Sequence, residues 1–239
     1  MRIIVMTDVH ANLPALQAAL NDIKKTGYDL LVHTGDAFAI GPYPAECLAL
    51  LMATPNVRLL KGNHESYFVK GIPKAQPSLM QDGEVQHQHW THAQLGPAMK
   101  TVIATWPYRL DMEESGVTAT FLHYPLDESG HEFQPIRLIN PSASQMDAAF
   151  HEVDSSVIFC GHEHQPFDVQ GRSRYVNPGA LGCSADAAAR YCTLDISYHG
   201  FFIQHHAVEY DRTELFHTFE EREVPERHFI LKTFFGQKT

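Results

Sequence analysis

Along the first 65 residues, short apolar runs alternate with longer segments in which apolar residues recur every three or four positions. RIIVM (2–6) is a strand-like run. Asn12 then offers a cap to a helix over LPALQAALNDIKKTG. There Leu13, Leu16, Leu20 and Ile23 share one face, Pro14 is tolerated in the first turn and Gly27 ends the helix. A second strand, LLVH (30–33), leads through a Gly-Pro-Tyr-Pro loop into a helix, PAECLALLMA (44–53). VRLL (57–60) is a third strand. This β-α-β-α-β order implies parallel strands joined by right-handed crossovers.

The pattern changes after residue 65. Residues 66–106 are rich in Gln, His, Pro and Met, lack period-two alternation and end in KTVIATWP, so they read as a helical cap insertion. Strands resume at VTATFLH (117–123), SVIFC (156–160), SRYVN (173–177), RYCTLDI (190–196) and GFFIQHH (200–206), with a helix over 142–153. The tail, about 211–239, reads as two short helices. The expectation is one domain over 1–239, with the insertion and the tail as appendages and no internal repeat.

Composition narrows the class. With 44% hydrophobic and 19% charged residues in 239, there is material for a packed core, which excludes a disordered chain. Eighteen basic against 28 acidic residues give a net charge of −10, so no bulk attraction for a nucleic-acid backbone is expected. A phosphate-bearing ligand must instead meet a local positive centre, and metal ions are the obvious source. The four cysteines form no CxxC pair, and no apolar run approaches the about 18 residues of a membrane span. A reduced, cytoplasmic protein is expected. Sixteen histidines, almost as many as lysine and arginine together, stand out, because histidine is the commonest metal ligand.

Their positions give the excess a meaning. Strand ends up to residue 160 are followed by metal-ligand residue types: Asp8-x-His10, Asp36, Asn63-His64, His123 and His162-x-His164. In α/β sheets, sites form beyond the carboxyl ends of strands, so these clusters can converge. Residues two apart in extended chain point the same way, so Asp8 with His10, and His162 with His164, can grip a shared centre. Aspartates, an asparagine carbonyl and imidazoles suit Mn, Fe, Co, Ni or Zn better than Ca or Mg. The glycines at 35, 62 and 161 are expected to turn the backbone beside these residues.

TDVHAN, TGDA, KGNHE, FLHY and CGHEH resemble, complete and in order, the D-x-H, G-D, G-N-H-[DE], H and G-H-x-H pattern of the calcineurin-like metallophosphoesterases. The resemblance spans residue 1 to about 185 and includes an NPG at 177–179. The length, the cap with its Trp and the final helix are similar to a branch of small bacterial predicted phosphodiesterases. The resemblance implies an α/β fold, a four-layer αββα sandwich with a helical cap insertion. It implies two divalent metal ions, Mn first, with Fe, Ni, Co or Zn as alternatives. One ion would take Asp8, His10, Asp36 and His164. The other would take Asp36, Asn63, His123 and His162, with Asp36 bridging. His64 would be the non-ligand histidine beside the phosphate, with Glu65 as a partner for its ring. The catalytic residues are then His64, Asn63 and Asp36, and a metal-bridging hydroxide would attack phosphorus.

Three departures from the family pattern bear on substrate preference. Tyr124 stands where glycine is common, Ala180 follows NPG in place of Ser, and Cys183-Ser184-Ala185 replaces a stretch often carrying Gln-Pro-Arg. No arginine occurs in DAFAIGP after the second motif. Bidentate arginine holds dianionic monoesters, so a diester or other small phosphorylated substrate, including a nucleotide, is favoured. Alternatives are an asymmetrical dinucleoside polyphosphate hydrolase, a nucleotidase, a phosphomonoesterase, or a scaffold that keeps the fold without catalysis. His87, His89 and His92 are expected on a solvated cap face, Trp90 and Trp106 in the cap core, Cys183 as an ordinary loop residue, and His205-His206 as structural. Oligomeric state is open.

Overall fold

A computed structural model of the chain describes residues 1–72 and 82–237, in which ten strands and eight helices are placed. The strands form two five-stranded sheets. In the first the order is β10 (Gly200–Glu209), β9 (Ala188–Ser197), β1 (Arg2–Met6), β2 (Leu30–His33), β3 (Val57–Leu59). In the second it is β4 (Arg109–Glu114), β5 (Val117–Leu122), β6 (Val157–Phe159), β8 (Arg174–Asn177), β7 (Phe167–Gln170). β1, β2 and β3 run parallel in register Ile3↔Leu30 and Leu31↔Val57, as the crossover pattern predicts. The β9–β10 hairpin adds antiparallel to β1.

The apolar runs are uninterrupted because both faces of each central strand are buried. Ile3 and Val5 point between the sheets, where they meet Phe121, Phe159 and Val176 of the opposite sheet. Ile4 and Met6 point the other way, into a core shared with Leu16 and Ile23 of α1 (Leu13–Thr26) and Leu48 and Leu51 of α2 (Pro44–Ala53). The outer face of the second sheet is covered by Met146 of α6 (Ala143–Ala149) and the following Phe150, against Ile158 and Tyr175. The layers are therefore helix, sheet, sheet, helix. α4 (Asp82–Leu95), α5 (Pro97–Ala104), α7 (Thr213–Glu221) and α8 (Arg227–Phe235) join the first core, which also takes Trp90 and Trp106.

Several boundaries differ from the sequence expectation. α3 (Asn63–Lys70) starts inside the KGNHE motif, so the helical region begins before residue 66. Residues 73–81 and 238–239 of the insertion and tail lie outside the described residues. β4 and β7 are absent from the sequence reading. Both are edge strands, RLDMEE and FDVQ, whose solvent-facing positions carry charged and polar residues that obscure the strand signal. Asn12 caps α1 as expected, accepting from Ala15 N at 3.1 Å. Its Nδ2 also donates to Gly182 O and Tyr210 Oη, so the cap ties the loop after β8 and the start of the tail to the strand-end layer. No described helix is long and apolar enough to cross a membrane.

Candidate metal centre

The carboxyl ends of β1, β2, β3, β5 and β6 meet along one edge of the sandwich, and the loops leaving them bring all eight candidate site residues together. Asp8, His10, Asp36, His64 and His123 are buried, and Asn63, His162 and His164 are partly so. Asp8, His10, Asp36, His162 and His164 all have φ between 46° and 72°, the left-handed region that non-glycine residues enter at a cost of about 1–3 kcal/mol each. Such strain persists only where surrounding structure fixes it. Here that structure is a ladder of backbone bonds from Asp8 N to Gly35 O, His10 N to Asp36 O, Gly161 N to His123 O and Gly182 N to Asp8 O.

Two overlapping sets of ligand atoms result. In one, Asn63 Oδ1 lies 2.9 Å from His162 Nδ1 and 3.2 Å from His123 Nε2, and His123 Nε2 lies 3.2 Å from Asp36 Oδ2. In the other, His10 Nε2 lies 2.8 Å from His164 Nε2 and 3.4 Å from Asp8 Oδ1, with Asp36 Oδ2 at 3.9 Å. Asp36 belongs to both. Asp8 Oδ2 accepts from Thr7 Oγ1 and His162 N, whereas its Oδ1 is buried without any hydrogen-bond partner. A buried carboxylate oxygen is costly without a cation or donor, and this one faces two imidazoles. The donor set and the orphaned oxygen fit bound divalent cations.

Electrostatics prepare the same atoms. Burial pushes the His10 and His162 rings down to about 4, so both are neutral lone-pair donors near pH 7. Burial acts in the same sense on His123, but the adjoining Asp36 carboxylate outweighs it and holds that ring at about 9. Burial would raise the Asp8 and Asp36 carboxyls. The neighbouring imidazoles, His10 and His164 for Asp8 and His123 first for Asp36, hold both below the usual carboxylate range.

The structure reassigns several residues. Glu65 does not touch the His64 ring. Its carboxylate accepts from Asp36 N, Ala37 N and Gly62 N at 2.7–2.9 Å, pinning the loop after β2 to the start of α3. The His64 ring is held by Gln88 of α4, whose Nε2 lies 2.8 Å from His64 Nδ1. With the amide NH2 turned to the ring, Nδ1 accepts and the ring proton is placed on Nε2, which is 3.9 Å from Asp36 Oδ2. His87 is buried on no solvated face: its Nε2 accepts from Ile40 N at 2.7 Å, which leaves Nδ1–H to Pro225 O at 3.2 Å. His89 is exposed, and His92 packs its ring edge against Phe68. Cys183 is more than a distant loop residue, since its Sγ and ring nitrogens of His10 and His164 lie within 4.8 Å of one another. His205 and His206 point to opposite faces of β10, the first towards Asp168 and the second stacked on Tyr191.

Nor do the three motif glycines share one reason. Gly35 has φ +125°, and a β-carbon there would lie 2.9 Å from His123 Nδ1. Gly62 is extended, with φ −95° and ψ −169°, and is glycine because the Asp36 carboxylate fills the space a side chain would need. Gly161 likewise lacks a positive φ and gives room to Thr7 and Asp8. Tyr124 uses its bulk: its ring sits 4.4 Å from that of His162, and its hydroxyl is anchored on Glu163 Oε1 at 2.6 Å. Tyr124 stood out in the sequence only as a departure from the family pattern, and no spacing rule could have found Gln88, which folding alone brings to His64.

The chain belongs to the calcineurin-like phosphoesterase superfamily, whose domain model matches residues 1–199. An uncharacterized protein of Methanocaldococcus jannaschii is 28% identical over 243 residues, covering 94% of each chain. Among solved structures, a hypothetical protein from Pyrococcus horikoshii OT3 superposes with a TM-score of 0.82 at 21% identity, over 100% of this chain and 99% of that one. A metallophosphoesterase from Sphaerobacter thermophilus superposes with a TM-score of 0.72 at 24% identity, over 95% and 96%. At these identities the two structures speak for the fold.

Proposed function

We propose that this phosphoesterase is a dinuclear metal-dependent hydrolase of a phosphodiester or similar small phosphoester. The observation that carries the reading is the pair of ligand sets sharing Asp36, with an unpartnered Asp8 oxygen in one of them. Asp8, His10, Asp36 and His164 would hold one ion, and Asp36, Asn63, His123 and His162 the other. Mn suits this mixed set, as do Fe, Co, Ni and Zn. Two such ions supply an activated water and neutralise charge on the phosphoryl oxygens.

The chain's own part is positioning and proton supply. Asn63, at the first turn of α3, offers its carbonyl oxygen to the second set, and its side-chain NH2 is then free to donate towards a phosphoryl oxygen. His64 presents Nε2–H over Asp36 because Gln88 occupies Nδ1, so it can bind the phosphoryl group or protonate the leaving oxygen. No arginine is among the described residues lining the cavity beside His64, which favours the single charge of a diester over the double charge of a monoester. Four buried free thiols suit a reducing, cytoplasmic setting.

The test loads the full chain with Mn, Fe, Co, Ni or Zn, counts bound metal by elemental analysis and compares bis-p-nitrophenyl phosphate with p-nitrophenyl phosphate. The expected result is about two ions per chain and a preference for the diester. Full activity in protein shown to be free of metal would refute the reading.

A further inference from the structure

Cys183 stands beside the metal centre without a role in the chemistry described so far. It lies in the loop after β8, and that loop is bonded to the ligand-bearing segments themselves. Ala180 N donates to His164 O, Leu181 N to Thr7 O and Gly182 N to Asp8 O, each at 3.0 Å, and Asn12 Nδ2 donates to Gly182 O. Gly182 lets the two backbones meet, since a β-carbon there would overlap Val9 O. Cys183, the next residue, is therefore delivered to the centre by the fold, and it is 5% exposed.

Its sulfur extends a set of donor atoms. Sγ and ring nitrogens of His10 and His164 lie within 4.8 Å of one another, and no other cysteine joins such a group among the described residues. Bonds of about 2.3 Å to sulfur and about 2.1 Å to nitrogen put donors on one ion up to about 4.4 Å apart, so this set needs little adjustment to share a cation. A thiol alone would carry no such meaning, but Asp8 adds an independent sign. Its carboxylate is wholly buried, and Oδ1 has no hydrogen-bond partner while lying 3.4 Å from His10 Nε2 and 3.5 Å from His164 Nε2. A buried, unpaired carboxylate oxygen turned to the same two rings calls for a cation there. Without one, the thiol is inert. Burial, with the Asp8 and Asp36 charges nearby, pushes it well above its ordinary range, which excludes a free thiolate nucleophile. A bound cation reverses that, because a coordinating thiol is deprotonated outright.

We propose that Cys183 Sγ is a further ligand of the ion held by Asp8, His10, Asp36 and His164, and that it makes this position favour a thiophilic divalent cation, Zn or Fe, over Mn. The inference rests on the dinuclear reading above and separates its two positions by chemistry. Asp36, Asn63, His123 and His162 offer oxygen and nitrogen alone, whereas the first set gains a soft sulfur donor. On binding, the Cys183 S–H proton leaves to solvent as the metal–sulfur bond forms, and no electron is transferred.

Cobalt is the probe, because a thiolate bound to Co gives an intense near-ultraviolet charge-transfer absorption that oxygen and nitrogen ligands do not. The full chain, freed of metal and loaded with Co without air, is expected to show this band, with bound cobalt counted by elemental analysis. Cys183→Ser and Cys183→Ala should lose it, with folding checked by thermal melting. Cys192→Ser, which removes the thiol 3.4 Å from His205 Nδ1, should keep it. In competition between Zn and Mn, Cys183→Ser should lower the preference for Zn by at least about tenfold, the least that losing even a supporting group around a metal commonly costs in affinity. Cobalt bound without the band, a band that survives in both Cys183 variants, or an unchanged preference for Zn would overturn the proposal and leave the dinuclear reading standing. If no cobalt binds, both fall. The wild-type band is read without any variant, so a substitution that folds poorly still leaves the proposal open to refutation.

Discussion

Asp36 and His64 sit in adjacent motifs and are expected to fail differently. Asp36→Asn removes the charge common to both ligand sets and should lower metal content, read by elemental analysis, along with rate. His64→Gln should keep about two ions per chain while kcat falls by roughly 10²–10⁴, the span of a lost general acid. Gln88→Leu frees Nδ1 of His64 and lets the ring proton leave Nε2. It should lower kcat by about 10–100-fold with metal content intact, as supporting groups behind a site commonly do. A Gln88→Leu protein with unaltered kcat would mean that the contact only packs the insertion. His123 gives a pH signature. Its pKa of about 9 lies above the ordinary 6.5, so in chelator-treated protein its pairing with Asp36 stabilises fully below about 6.5 and fades as pH rises through 9. Metal uptake at pH 7.5 should accordingly release close to one proton from this ring. Calorimetry in buffers of different ionisation enthalpy measures that release, and none would mean that His123 binds no ion.

At the scale of elements, the loops after β2 and β3 are held together by one buried carboxylate. Glu65 accepts three backbone N–H groups, and burial, reinforced by the Asp36 charge nearby, lifts its own pKa to about 7. Glu65→Gln puts an NH2 against one of those donors. The loss should be about 1–3 kcal/mol of stability, the cost of a buried polar group left unpaired, visible in a denaturant melt and accompanied by weaker metal retention. The insertion is the other element whose role changes on folding. From sequence it is a cap without ligands. In three dimensions α4 supplies Gln88 to the His64 ring, and together with α8 it walls a cavity beside that ring.

Across the whole molecule, five strand ends from two sheets converge on one centre, and bound ions would cross-link them. Exhaustive chelation should therefore abolish activity and also lower the melting temperature, with both returning on adding Mn, because a ligand that binds only the native state stabilises it by mass action. An unchanged melting temperature on verified metal loss would show that the strand-end ladder stands without the ions. The tail contributes at this scale as well. Arg222 donates to Pro42 O and Glu46 Oε1, and Tyr43 Oη meets Thr218 Oγ1 at 2.6 Å, so α7 is strapped to α2 and the loop before it.

The sequence by itself determined what depends on local pattern. The central strands, α1 with its Asn12 cap, α2, and the two tail helices follow from apolar period and capping chemistry, which act over a few residues. The eight candidate site residues were legible because each follows a strand directly, a position that survives any detail of packing. Edge strands β4 and β7 were not legible, since their half-exposed faces carry Asp, Glu and Gln. Only the tertiary structure decided the rest. Glu65 turned to the backbone and Gln88 to His64, Cys183 came beside His10 and His164, and α4 and α8 enclosed a cavity beside His64. Each of these joins segments distant in sequence, and the contact that selects it exists only once the sheets have closed on one another.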